Sequence, residues 1–151
     1  MKLREVEGRP EGADLRVGIA VSTFNGTITE ALLSGAVGAL EAAGVTECTV
    51  VRVPGALELG PAILRLAEDH DAIVAIGAIV EGETDHYEHV ATQASTAITQ
   101  ITLATGVPVG NAVLTVRQIA HAIDRSLPGP GNKGAEAARA AIVMANTLRE
   151  L

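Results

Sequence analysis

The 151 residues contain two aromatic side chains, Phe24 and Tyr87, and no tryptophan. A hydrophobic interior must therefore be assembled from Ala, Val, Ile and Leu. Any ring-stacking surface has only these two residues and the histidines to draw on. Readers of single-stranded nucleic acid need aromatic platforms beside a basic groove, so that class is nearly excluded. Positive charge is scarce as well: 11 Lys and Arg stand against 18 Asp and Glu, a formal net charge of −7. That balance argues against duplex DNA and anionic membrane as partners. The single cysteine, Cys48, cannot form an internal disulfide, and in its apolar run it reads as a small buried thiol in a reducing compartment. No apolar stretch approaches the ~20 residues of a membrane span, and the charged opening MKLREVEGRPEGAD lacks the apolar core of a secretory signal. The expectation is a cytoplasmic protein that meets neither nucleic acid nor membrane.

Apolar material, by contrast, is plentiful. Hydrophobic residues make up 48% of the chain and charged ones 19%, against roughly 25% in typical soluble chains. One domain of this length would struggle to hide so much alone, so subunit contacts are expected to cover part of it.

Residues 1–14 mix charge, Gly and Pro and read as a flexible N-terminal arm; residues 15–151 read as one domain. Continuous β-branched runs mark strands at 15–22, 46–53, 71–81 and 107–116. Helical spacing marks 27–44, 56–70 (interrupted near Gly60-Pro61), 84–105, 117–126 and 132–151. Thr27 and Glu30 have the spacing of a capping box, and Gly44 supplies the stop. Strands that alternate with helices, and that are unbroken apolar runs, predict a three-layer α/β/α sandwich around a four-stranded parallel sheet, the flavodoxin-like arrangement. From Ala91 to Val116 there is no charged residue, so the third long helix has only Thr, Gln and Ser for a polar face. Such a face suits a helix packed against copies of itself; a Thr-rich solvated face is the plainer alternative.

In doubly wound folds ligands bind beyond the carboxyl ends of the strands. The segments at that edge are Thr23–Gly26, Pro54-Gly55-Ala56, Gly82–His86 and the region of Thr115. Phe24, a loop ring in a chain that avoids rings, is either a stacking surface or a plug beneath the loop. Thr84 can cap the following helix, whose free N–H groups would form an anion site, with His86 in the first turn. Asp85 and Glu88 flank that histidine, which suits proton transfer. A metal site at His86 and His89 is a rival, although no third ligand stands at a recognisable spacing. A solvent-facing structural histidine is the bland one. Between Val17 and Val116 the only cations are Arg52 and Arg65, whereas 117–139 holds Arg117, Arg125, Lys133 and Arg139. Arg125 and Lys133 bracket the loop SLPGPGN, an arrangement that suits a phosphate but equally fits ordinary helix-end charges. It is not a Walker motif. Glu58, behind Pro54-Gly55, can accept hydrogen bonds from a polar substrate or can simply be solvated.

Together, STFNG, VPGALEL, GAIVEGETDHYEHVA, VPVGNAVLT, AIDRS and GNKGAEAARAAIVMAN, in that order, resemble the 6,7-dimethyl-8-ribityllumazine synthases, enzymes of the penultimate step of riboflavin biosynthesis. The resemblance runs from Leu15 to the C-terminus. It implies condensation of 5-amino-6-(D-ribitylamino)uracil with 3,4-dihydroxy-2-butanone 4-phosphate, with no metal and no cofactor. It implies Phe24 as the stacking residue for the pyrimidinedione, Ala56, Leu57 and Glu58 as the ribityl-binding segment, and Ile79 and Val80 as backbone contacts to the heterocycle. Glu83 and Thr84 match the phosphate-side loop, His86 the proton-transfer histidine, and Arg125 and Lys133 the cations near the phosphate. It also implies a homo-oligomer, a pentamer or a larger shell of about 60 subunits, with the site between neighbours and the third helices around the fivefold axis. Leu57 stands where the family often has an aromatic residue, Glu81 where Arg is common, and Asn111 where Phe is frequent. The remaining candidates are an archaeal-type riboflavin synthase, against which the phosphate apparatus argues, and a non-catalytic flavin- or lumazine-binding shell protein.

Overall fold

A computed structural model describes residues 1–151. Strands β1 (Val17–Ser22), β2 (Cys48–Val53), β3 (Ala72–Val80) and β4 (Val109–Val116) form one parallel sheet in the order β2-β1-β3-β4. Helices α1 (Gly26–Ala42), α2 (Leu59–Leu66), α3 (His86–Thr105), α4 (Ile119–Ser126) and α5 (Lys133–Glu150) complete the predicted three-layer sandwich.

The period of two in the strands separates two cores. Val17, Ile19 and Val21 of β1 and Ala72, Val74, Ile76 and Ala78 of β3 face α1, α4 and α5. Ala20, Ile73, Ala75 and Ile79 face α2 and α3. Coverage on both faces holds for β1 and β3 but not for the edges. Thr49, Val50 and Arg52 of β2 are exposed, as are Asn111 and Thr115 of β4. Cys48, on the β2 edge, is half-buried rather than buried, and burial pushes its thiol up to about 11.

Several boundaries move for identifiable reasons. The capping box at Thr27 and Glu30 does not form: α1 starts at Gly26 behind Asn25, which makes no side-chain cap, and Glu30 pairs with Arg52 instead. A missing cap forgoes about 1 kcal/mol. Burial of Ile28, Leu32 and Leu33 outweighs it at about 1.5–3 kcal/mol each. The second helical segment opens as a 3-10 turn over Ala56–Glu58, and α2 ends at Leu66. Pro61 lies in the first turn of α2, where the N–H it lacks has no intrahelical partner anyway. Helix α3 starts at His86, two residues later than its pattern suggests, and Gly106 ends it at φ 72.

Residues 1–14 form no regular element, but their second half is tied to α5. The Asn146 amide donates to the carbonyls of Arg9 and Glu11 at 2.7 and 2.8 Å, and the Gly8 N–H donates to Thr147 Oγ1 at 3.0 Å. At the amino edge of the sheet, burial alone would raise the Asp71 carboxyl. The backbone N–H and guanidinium of Arg16, with Arg149 beside them, outweigh that and hold it below the usual carboxylate range.

The junction of α1, α4 and α5 turns on one buried side chain. Asn132 accepts from the Ala135 N–H at 3.1 Å, capping α5, and donates to the carbonyls of Ser126 at 2.9 Å and Ala31 at 3.2 Å. Asn132→Ala should lower stability by about 2–4 kcal/mol, because a cap is lost, the Ser126 carbonyl is left without a donor and the Ala31 carbonyl loses a second one. A lower urea midpoint at unchanged slope is the expected reading; a midpoint equal to the parent's would remove Asn132 from this role.

Candidate active site

Where the sheet order reverses between β1 and β3, the crossovers lead to opposite faces and the strand ends part, the place where this architecture opens a crevice. A cleft of about 350 Å³ lies there. Its floor is Ser22 from the end of β1 with Ala78, Ile79 and Val80 from the end of β3. Gly55, Ala56, Leu57 and Glu58 supply one wall through the 3-10 turn, and Gly82, Thr84, His86, Tyr87 and Val90 supply another through the entry to α3. Phe24 stands at the mouth.

Of the residues singled out from sequence, Phe24, Ala56, Leu57, Glu58, Ile79, Val80, Thr84 and His86 are brought together here. Phe24 is 70% exposed, which is incompatible with a plug under the loop. Thr84 is not the N-cap residue; that position is Asp85. The Thr84 hydroxyl instead accepts from the His86 N–H at 3.4 Å, a long contact at the helix entry. His86 and His89 gain no third ligand, since no three His, Cys, Asp or Glu side chains cluster so as to hold a metal ion.

Glu83, Asn111, Arg125 and Lys133 do not line the cleft. The Asn111 side-chain oxygen, Oδ1, accepts from the Val113 N–H at 2.9 Å, along the outer edge of β4. Arg125 ends α4, on the α1 side of the sheet, and its Nη1 donates to the His121 carbonyl at 3.1 Å. Lys133 Nζ lies 2.8 Å from Glu136 Oε2, and that hydrogen bond holds the Glu136 carboxyl below its usual range. No Lys or Arg lines the cleft at all. Glu81, just beyond Val80, meets Arg117 at 3.7 Å across the ends of β3 and β4.

Gly55 and Gly82, from the segments expected at the strand ends, also line the cleft, whereas sequence reasoning left out Ser22, Ala78, Tyr87 and Val90. Val90 had a usable signal, since it is four positions after His86 on the same helix and three after Tyr87, and residues three or four apart share a face. The chain's two aromatic side chains thus both line one cleft. Flat apolar surface at the mouth, a carboxylate on one wall and a helix entry with a histidine on the other can hold a planar polar heterocycle beside a group that moves protons.

Known proteins match the chain almost end to end. The family model of 6,7-dimethyl-8-ribityllumazine synthase matches residues 14–149. The protein of that name from Leptothrix cholodnii is 45% identical over 152 residues, covering 98% of this chain and 96% of its own. Those from Mycobacterium sp. strains KMS and JLS are 42% identical over 143 residues, covering 93% and 89%. The chain belongs to the 6,7-dimethyl-8-ribityllumazine synthase family.

Proposed function

We propose that the protein condenses 5-amino-6-(D-ribitylamino)uracil with 3,4-dihydroxy-2-butanone 4-phosphate to 6,7-dimethyl-8-ribityllumazine, the penultimate step of riboflavin biosynthesis, in the cleft at the ends of β1 and β3. The observation that carries this site is the meeting of Phe24, Glu58 and His86, from three separate segments, around that cleft. Phe24 stacks on the pyrimidinedione, Ala56, Leu57 and Glu58 hold the ribityl chain, and the backbone at Ile79 and Val80 contacts the heterocycle. The 5-amino group attacks the butanone carbonyl to give an imine, and phosphate is then eliminated. Elimination leaves an enol that tautomerises to a ketone at the former hydroxyl carbon; the ribitylamino nitrogen closes the second ring on that new carbonyl, and each carbonyl condensation expels water. His86 moves protons in these steps.

Proximity is the larger contribution. Holding two reactants in register is worth up to about 7–11 kcal/mol. A general acid–base adds ~10²–10⁴-fold, or about 3–5 kcal/mol.

The phosphate needs cations that the cleft itself lacks. The reading is therefore a homo-oligomer, pentamer or larger closed shell, in which Arg125 and Lys133 serve a cleft shared between neighbours, with Glu83 and Thr84 on the phosphate side and Asn111 near the heterocycle. The uncharged outer face of α3 supports it: Thr92, Gln93, Ser95, Thr96, Thr99 and Gln100 are exposed in the protomer, and Leu103 is 81% exposed. The cytoplasm is the matching location; no helix is long and apolar enough to cross a membrane.

Mixing both substrates tests the reaction, with the fluorescence of the lumazine and released phosphate as readouts. An archaeal-type riboflavin synthase or a passive shell protein would produce neither. His86→Ala should lower kcat by up to ~10²–10⁴-fold while the butanone phosphate KM stays near the parent value. Arg125→Ala should instead raise that KM tenfold or more, since a charge-assisted contact worth about 1.5–3 kcal/mol is lost; an unchanged KM would refute its role. Placing Glu at Gln93, Thr96 and Gln100 together should shift the protein to smaller species in light scattering. Assembled mass equal to the parent's would sink the packing of α3 against its copies.

A further inference from the structure

The ring at the mouth of the cleft is carried by a loop with an unusual anchor. Pairing of β1 with β3 stops at Val21 and Ile76, whereas β3 continues to pair with β4 as far as Val80 and Val116. Beyond Ile76, then, the β1-facing side of β3 has lost its partner strand, and the Ala78 carbonyl lies in that stretch. The Asn25 side chain meets it, with Nδ2 donating to Ala78 O at 2.9 Å. Asn25 is also the only non-glycine residue at positive φ, at φ 56 and ψ 46. On the other side, the N–H groups of Thr23 and Phe24 donate to the carbonyls of Val53 at 2.8 Å and Pro54 at 3.1 Å, prolonging the β1–β2 ladder. Phe24 is thus stitched to the end of β2 by its own backbone and to the end of β3 through the next side chain.

Few residue types can do this. The left-handed conformation favours Gly, Asn and Asp. Of these three, only Asn brings a side-chain N–H for a carbonyl.

We infer that Asn25 is a positioning residue for the reaction: its amide, bonded to Ala78, fixes the Phe24 ring over the cleft and so sets the affinity for the ribitylaminouracil. This rests on the functional reading above, with Phe24 as the stacking surface. The tether adds no group to the reacting atoms. Its loss lets Phe24 leave the stacking position, and apparent affinity falls with the fraction of time the ring is in place.

The test separates tether, backbone and fold. Asn25→Gly keeps the left-handed backbone without strain and removes the amide. Asn25→Asp keeps the shape but turns an oxygen toward the Ala78 oxygen. Both should raise the KM for 5-amino-6-(D-ribitylamino)uracil about fivefold to tenfold, the worth of one hydrogen bond. Saturating kcat and the butanone phosphate KM should stay within about twofold. In a Phe24→Ala background, Asn25→Gly should add nothing further to the KM. A parent-like KM for Asn25→Gly overturns the inference. So does a further rise in the Phe24→Ala background, which would mean that Asn25 acts other than through the ring. A fall in kcat and in melting temperature at unchanged KM would reduce Asn25 to a purely structural role and also overturn it. Failure of the unmodified protein to make lumazine would instead sink the functional reading, a distinct result.

Discussion

A sandwich without aromatic bulk has to close by bringing backbones together. With Ala, Val, Ile and Leu as filling, the layers meet only if some positions carry no side chain. A Cβ at Gly134 would overlap the Leu32 carbonyl oxygen, and one at Gly110 would overlap that of Ala137. These two contacts set α5 directly against α1 and β4. Asn132 sits at the same junction, where it donates to the Ser126 carbonyl, which close packing would otherwise strand, and to that of Ala31. Dense packing at such contacts leaves little room for adjustment. The whole α1/α4/α5 face is therefore a rigid backing for the sheet.

That rigidity bears on the site through the sheet. The ends of β1 and β3 are fixed by a core whose strand residues are almost wholly buried, so the cleft between them holds its shape without help from the loops above it. The loops then have narrower tasks. One carries Phe24 and is stitched down on both sides, one presents Glu58, and one leads into α3 with His86 in its first turn. Phe24 is left wholly to the cleft, while Tyr87 lines it and also packs against the α2/α3 core.

The layer order and the parallel sheet were legible in the sequence because unbroken β-branched runs between helical periods admit few other arrangements. Phe24, Glu58 and His86 were legible because they follow strand ends, and the fold dictates what lies at strand ends. The capping box was misleading for a tertiary reason: Arg52, remote in sequence, takes the Glu30 carboxylate that the local motif would have used. The openness of β2 was hidden because an apolar run looks the same at an edge as in the middle of a sheet. Asn25 was also out of reach. A dipeptide Asn-Gly announces a turn, but nothing local says that the amide will find a carbonyl 53 residues away.

The charge distribution ties these threads together. Glu58 lies in the cleft and Glu83, Asp85 and Glu88 are next in sequence to residues that line it, whereas Glu81 is paired with Arg117, and Arg125 and Lys133 do not line the cleft. A site in this state repels an anion at long range, and the partial positive charge of one helix entry, worth about 0.3–1 kcal/mol, is too small to reverse that. An enzyme of this family acting on a phosphorylated ketone therefore depends on further positive charge delivered to the cleft. In the proposed oligomer, the exposed edges of β2 and β4 and the uncharged face of α3 are the surfaces on which a neighbouring copy would supply it. The proposed oligomer would give the low count of charged residues and the incomplete cleft one origin, a site finished by a neighbouring copy.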